Sequence, residues 1–309
     1  MTIRLENAAL RLDCLPALGG RIVALIDRVT GRNWLTTGHP STDPGAWAGQ
    51  DAIFGGDQAF GWDECLPTIA RCPDPLDPSG PPLRDHGDAW GRSAEVERRG
   101  DDALVSRSSV GGRWELTRTI RLADRTVAVD YDLRSLGPAV PFLWSMHPLL
   151  ALEPGSRVEL SGLDRIGLRS STEIEFATDE AGTVGWPIAT ATDGTKIDLA
   201  LVLDAGAGFA VKLATNVAPA GAIGVRTPDG AAIHVDWKRA VAPAVGIWLD
   251  HGGWPEGAAL RQVAIEPATS GDEDLASAVM AGRARLVPVG GNIRWWARLE
   301  VAPPPGADG

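Results

Sequence analysis

The chain has 309 residues, of which 44% are hydrophobic and 22% charged, and a formal net charge of −11 at pH 7. That is a globular composition with enough chain to bury a core without disulfide staples. The acidic balance leaves no basic face for a nucleic-acid backbone, so no nucleic acid is expected as a partner.

No stretch reaches the roughly 18 consecutive apolar residues of a membrane span. The opening "MTIRLENAALRLDCLP" lacks the apolar run of a secretory signal. No membrane association is therefore expected, and the cytoplasm is the expected compartment. The three cysteines, Cys14, Cys65 and Cys72, are too few and oddly numbered for a disulfide framework. They read as reduced, buried thiols. Lysine occurs only at positions 196, 212 and 238, which reads as a base-composition effect. Twelve Trp stand against five Phe and one Tyr, an excess that suits flat, sugar-stacking surfaces as well as a core.

Period-2 patterning dominates the chain. "LRLDCLP" alternates. "RIVALIDRVTGRNWL" predicts a hairpin turning at Thr30-Gly31. "RWELTRTIRLADRTVAVDYDLRSL" predicts a longer one, with Trp114, Leu116 and Arg118 on one face of its first strand. Val127, Val129, Tyr131 and Leu133 share a face of the second. "LALVLDAGAGFAVKL" reads as a hairpin over a glycine-rich turn, and "IGVRTPDGAAIHVDW" turns at Pro228-Asp229-Gly230. "GIWLD", "QVAIEP" and "NIRWWARLEV" supply further strands. The one helical pattern is 272–282, ended by Gly282. Proline-rich 72–82 is a loop inside the fold. The expectation is one all-β domain over 1–302, a large antiparallel sandwich, followed by a loose tail over 303–309.

Motif searches are negative for a GxSxG elbow, a phosphate-binding loop and HExxH. "GAG" at 206–208 is too short for a dinucleotide fingerprint. Asp85, His86 and Asp88 suggest a metal corner without a further histidine nearby, so neither metal nor cofactor is expected. Three stretches remain. "DHGDAWG" places His86 before Gly87, and a glycine there lets a ligand approach closely. "PFLWSMHPLL" places His147 in an apolar strand. "VAIEPATSGDED" ends an apolar strand in Glu266, a carboxylate that is costly to bury unless paired or used. Two histidines and a glutamate form an acid–base set without a nucleophile. His39, His234 and His251 lack supporting context, and His251 reads as a solvent-side loop residue.

Five stretches in order resemble the aldose 1-epimerase, or galactose mutarotase-like, family. They are the opening strand with "PALGGRI", then "GWDECLPTI", "DHGDAWG", "WSMHPLL" and "AIEPATSGDEDL". The chain departs from the better-known branch of that family in "WSMHPLL" and in Asp88. The resemblance implies a β-supersandwich with a sugar cleft. It implies Glu266 as catalytic base, His147 as general acid and His86 as a second histidine at the ring oxygen. Asp63 and Glu64 are expected to accept hydrogen bonds from sugar hydroxyls, and Trp144 and Trp248 to stack on the ring, although Trp144 equally suits the core. The expected reaction interconverts α and β anomers by acid–base ring opening. A non-catalytic sugar-binding protein, and an isomerase or lyase of a modified sugar, are the competing readings. The expected partner is a small sugar, and the chain a monomer or homodimer.

Overall fold

The structure is a computed structural model that describes residues 1–38, 47–257 and 259–307; His39 lies outside them. Ten strands form one antiparallel sheet: β1 (Ile3–Glu6), β2 (Leu10–Leu15), β3 (Arg21–Asp27), β4 (Trp62–Cys65), β10 (Ser145–Leu150), β12 (Arg165–Ser171), β13 (Thr183–Gly185), β16 (Phe209–Thr215), β19 (Ala244–His251) and β20 (Arg261–Ala268). Their order is β1-β2-β3-β4-β10-β20-β19-β16-β12-β13. Eight more form a second sheet: β5 (Glu95–Arg99), β6 (Ala103–Val110), β7 (Trp114–Ala123), β8 (Thr126–Ser135), β11 (Arg157–Leu160), β17 (Ile223–Arg226), β18 (Ala232–Trp237) and β22 (Asn292–Ala302). Two short ribbons pair β14 (Ile188–Thr190) with β15 (Lys196–Asp198), and β9 (Val140–Phe142) with β21 (Arg285–Val287). The one α-helix among the described residues, α1, spans Leu275–Met280. No helix among the described residues is long and apolar enough to cross a membrane.

The second sheet keeps the alternation that the sequence predicts. Along β7, Trp114, Leu116, Arg118, Ile120 and Leu122 are buried while their neighbours are not. β8 repeats the pattern through Val127, Val129, Tyr131 and Leu133. One face of that sheet meets the core and the other meets water. β16, β19 and β20 do not alternate, because both of their faces are covered. Val211, Leu213, Val245, Ile247, Leu249, Val263 and Ile265 point into the main core. Leu149 and Ala264 on the opposite face join a second apolar cluster with Trp47, Phe54, Phe60 and Trp90. The site lies beneath that second cover.

Three predicted elements differ. After the Gly31 turn the chain makes only single bridges, Asn33 to Ile26 and Leu35 to Leu150, because the Asn33 side chain takes the amides of Leu25 and Leu35. The hairpin predicted at 199–213 does not form. Val202 donates to Ser156 and Ala200 accepts from Val158, beside the start of β11, and β16 pairs with β12 and β19 instead. The helix is shorter than its pattern because Asp274 caps it, accepting from the Ser277 amide at 2.7 Å. The three cysteines are free and buried, as expected.

Glu64 and Trp144, expected to contact a sugar, belong instead to the interior between the sheets. Glu64 accepts from Trp144 Nε1 at 2.8 Å, from the Tyr131 hydroxyl at 3.0 Å and from Arg118 at 3.2 Å. The neighbouring strand position decides this, since Asp63 and Glu64 point to opposite faces of β4. Burial raises the Glu64 carboxyl to about 7 against the pull of Arg118, so above that pH Glu64→Gln should cost about 3–5 kcal/mol of stability by leaving the Arg118 charge uncompensated, measured by urea unfolding, with the KM for any sugar unchanged. A large KM change with native stability would return Glu64 to the binding site.

Candidate functional site

Strand register assembles the site. Ile22 pairs with Trp62, so Arg21 stands beside Asp63. Asp63 pairs with His147. Ser145 pairs with Ala268 and Leu149 with Ala264, which sets His147 opposite Glu266. Glu266 in turn pairs with Gly246. One row of side chains thus crosses β3, β4, β10, β20 and β19 on the covered face. Lys212 lies beyond, on β16, and reaches back over Gly246, where a methyl group would press on Glu266 Oε2 at 3.2 Å.

The row is a chain of polar contacts in which each carboxylate stands between two nitrogen-bearing side chains. Arg21 donates to Asp63 Oδ2 at 2.7 Å. It also donates to the carbonyls of Gln58 at 2.6 Å and Phe60 at 3.1 Å. Asp63 Oδ1 meets His147 Nδ1 at 2.8 Å. His147 Nε2 lies 4.0 Å from Glu266 Oε1, and Lys212 Nζ donates to Glu266 Oε2. Glu266 Oε1 is buried and has no hydrogen-bond partner. With Nδ1 committed to Asp63, Nε2 is the nitrogen His147 has free for chemistry.

Electrostatics follow from those partners. Burial by itself raises the Glu266 carboxyl, but Lys212 and His147 overcome it and hold Glu266 below the usual carboxylate range. Burial is likewise overcome at Asp63, by Arg21 and His147. Lys212 loses to burial but gains more from Glu266 and Glu273, so its ammonium is held above the ordinary value. Glu273 is raised by burial, with Lys212 pulling against it.

His86 approaches from a loop. Its backbone is left-handed, at φ 55°, and Gly87 follows at φ 69°. A methyl group on Gly87 would sit 2.0 Å from the Leu66 carbonyl oxygen, so glycine is required for the loop to lie against β4. His86 Nδ1 meets Asp85 Oδ1 at 3.1 Å, and Asp85 Oδ2 accepts from the Phe54 amide at 2.8 Å. The Phe54 ring stacks on His86 at 4.2 Å and meets His147 edge-on at 5.1 Å. The two imidazoles are 5.2 Å apart, centre to centre. Asp88 is not part of a metal corner with Asp85 and His86, because Arg84 and Arg92 pair with it at 3.1 and 3.2 Å.

A cavity of about 210 Å³ opens here, lined by Phe54, Asp85, His86, His147, Lys212, Trp248, Trp254, Gln262 and Glu273 among others. Of the residues singled out in the sequence, Asp85, His86, His147 and Trp248 line it. Glu266 stands directly behind, between His147 and Lys212. Asp63 does not reach the cavity: both of its oxygens are taken, by Arg21 and His147, so it positions His147 and does not bind a hydroxyl. His251 is buried, not solvent-side, with its ring 5.0 Å from Phe209. Burial pushes its pKa down to about 4, so the imidazole is neutral.

Trp254, perpendicular to Trp248 at 5.7 Å, was not anticipated, nor were Arg21, Lys212, Gln262 and Glu273. Lys212 alone carried a readable signal: one of three lysines, in the apolar strand "FAVKLAT".

No protein-family model and no curated protein matches the chain. Solved structures do. The Slr1438 protein of Synechocystis sp. PCC 6803 superposes with a TM-score of 0.67 at 19% identity, covering 98% of this chain and 96% of that one. A galactose mutarotase-like protein of Clostridium acetobutylicum gives 0.63 at 13% identity, over 97% of this chain and 94% of that one. A galactose mutarotase related enzyme of Lactobacillus acidophilus gives 0.61 at 15% identity, over 98% of both chains. The chain has the galactose mutarotase-like fold, an all-β antiparallel supersandwich.

Proposed function

We propose that the protein is an aldose 1-epimerase-like enzyme that interconverts the α and β anomers of a small sugar. One observation carries this reading. Glu266 Oε1, buried and unpartnered, faces His147 Nε2 at 4.0 Å, directly behind the wall that His147 gives to a cavity sized for a single sugar ring. The two oxygens of a hemiacetal share one carbon, so an acid and a base serving them must be neighbours.

In the proposed reaction, ionised Glu266 takes the proton from the C1 hydroxyl. Protonated His147 gives its Nε2 proton to the ring oxygen as the C1–O5 bond breaks. The open aldehyde rotates about C1–C2. Ring closure on the other face returns both protons, with the roles reversed. His86, carried by Asp85 and Phe54, would share the ring oxygen or orient the sugar. Trp248 and Trp254 offer apolar faces for the ring C–H groups. Asp63 fixes the His147 ring, and Lys212 keeps Glu266 ionised.

Saturation-transfer NMR on equilibrated aldoses tests the reading. Glu266→Gln and His147→Gln should each lose about 10²–10⁴-fold in interconversion rate, with circular dichroism unchanged. Folded wild-type protein that accelerates no aldose would overturn the enzyme in favour of a binding protein. Full activity in Glu266→Gln would remove the base assignment.

The pH profile supplies a second test. The active base is the ionised carboxyl, so activity persists above the depressed Glu266 pKa and falls as pH drops through it. Lys212→Met leaves burial opposed chiefly by His147. The acid limb of kcat/KM should then move to higher pH by about one unit or more. An unmoved limb in a folded variant would show that Lys212 does not set the charge on Glu266.

A further inference from the structure

We propose that Cys65, His86 and His147 form a binding site for a thiophilic divalent cation, zinc being the best fit, and that the bound ion blocks the acid–base pair. The binding half stands on geometry alone; the inhibitory half rests on the reading above.

One donor atom from each of the three residues lies within 4.8 Å of the other two. Donors around a tetrahedral zinc stand about 3.5 Å apart, given zinc–sulfur and zinc–nitrogen distances near 2.3 and 2.0 Å, so small side-chain shifts close the set. Asp63 and Asp85 hold Nδ1 of the two histidines, the carboxylate–histidine arrangement that orients imidazole ligands toward a metal. Nε2 remains free on each ring. Glu266 Oε1 supplies the independent sign of a missing partner. It is an unpaired oxygen on a side chain 1% exposed, 4.0 Å from His147 Nε2.

Thiolate with imidazole selects zinc, cobalt or copper over magnesium and calcium. Binding would replace the Cys65 S–H bond, and in the acid form the His147 Nε2–H bond, by bonds to the metal and release those protons to solvent. The thiolate and the nearby Glu266 carboxylate together match the charge of the ion. Occupied Nε2 atoms can neither give nor take the proton that ring opening needs, so the ion and the sugar reaction exclude each other.

The test uses the full chain, freed of metal by chelation. Calorimetry should find one Zn²⁺ bound per chain with release of two protons where His147 is in its acid form and of one where it is neutral. Co²⁺ should give a near-ultraviolet thiolate–cobalt band. Loss of an outer-shell partner costs about 10–100-fold in metal affinity, so Cys65→Ser, which removes a direct ligand, should lose at least about that and abolish the band. Asp85→Asn should weaken Zn²⁺ binding by about 10–100-fold. Cys65→Ser should keep the metal-free interconversion rate and lose its sensitivity to Zn²⁺. No Zn²⁺ binding by wild type, or equal affinity in Cys65→Ser, would overturn the site. Binding without slowed interconversion would overturn the inhibitory half. Binding by a protein that accelerates no aldose would keep the site and end the reading on which its inhibition rests.

Discussion

Everything at the site depends on the unbroken row Arg21–Asp63–His147–Glu266–Lys212. None of these groups can be buried alone. An isolated ion in a protein interior costs several kcal/mol even after relaxation, and the members are 0–8% exposed. Each is tolerated because a nearby strand supplies a polar partner, at hydrogen-bond range everywhere except across the 4.0 Å between His147 and Glu266. Register places four of them: adjacent strands bring facing residues within reach of one another, so Arg21, Asp63, His147 and Glu266 become neighbours, while Lys212, two strands from Glu266, reaches it diagonally past Gly246. A one-residue slip in any of the strands would turn a member to the other face and strand its partners.

The row also suits the chemistry proposed for it. When protonated His147 and ionised Glu266 exchange a proton through a substrate, the sum of charge along the row is unchanged. A low-dielectric site penalises changes in net buried charge far more than transfers within a fixed total. Arg21 and Lys212 stand at the two ends, away from the gap between His147 and Glu266. They set the carboxylates from either side, Arg21 from outside the cavity and Lys212 from its wall. The only unsatisfied oxygen of the row, Glu266 Oε1, is the one facing that gap.

The sequence made some of this legible. Alternation in "RWELTRTIRLADRTVAVDYDLRSL" is legible because one face of the second sheet meets water. His86, His147 and Glu266 stood out because each is a titratable group in an apolar or glycine-flanked setting, and the structure brings them together. Asp63 and Glu64 could not be separated, since adjacent carboxylates differ only in which face of β4 they take. Trp144 was ambiguous for the same reason, and the Glu64 carboxylate resolves it toward the core. Lys212 is hidden in the sequence because the scarcity of lysine reads as base composition. Here both faces of β16 are covered, and that is a tertiary fact. Arg21 and Trp254 gain their roles from strands or loops distant in the chain, so nothing local announces them.

The histidine pair bears two interpretations that share one cause. A carboxylate on Nδ1 fixes the tautomer and aims Nε2, and that serves a proton donor and a metal ligand equally well. His147 has Asp63 behind it and His86 has Asp85, so either use is prepared. What separates them is the third partner. Glu266 across the gap favours proton traffic with a neutral sugar between acid and base. Cys65, one strand position pair away on the same face of β4 as Asp63, favours a soft cation. The thiol is buried and burial pushes its pKa well up, so in the absence of a metal it stays protonated and leaves the histidines to the substrate. Only a cation that displaces the thiol proton brings Cys65 into play, and the same event removes both imidazoles from proton transfer.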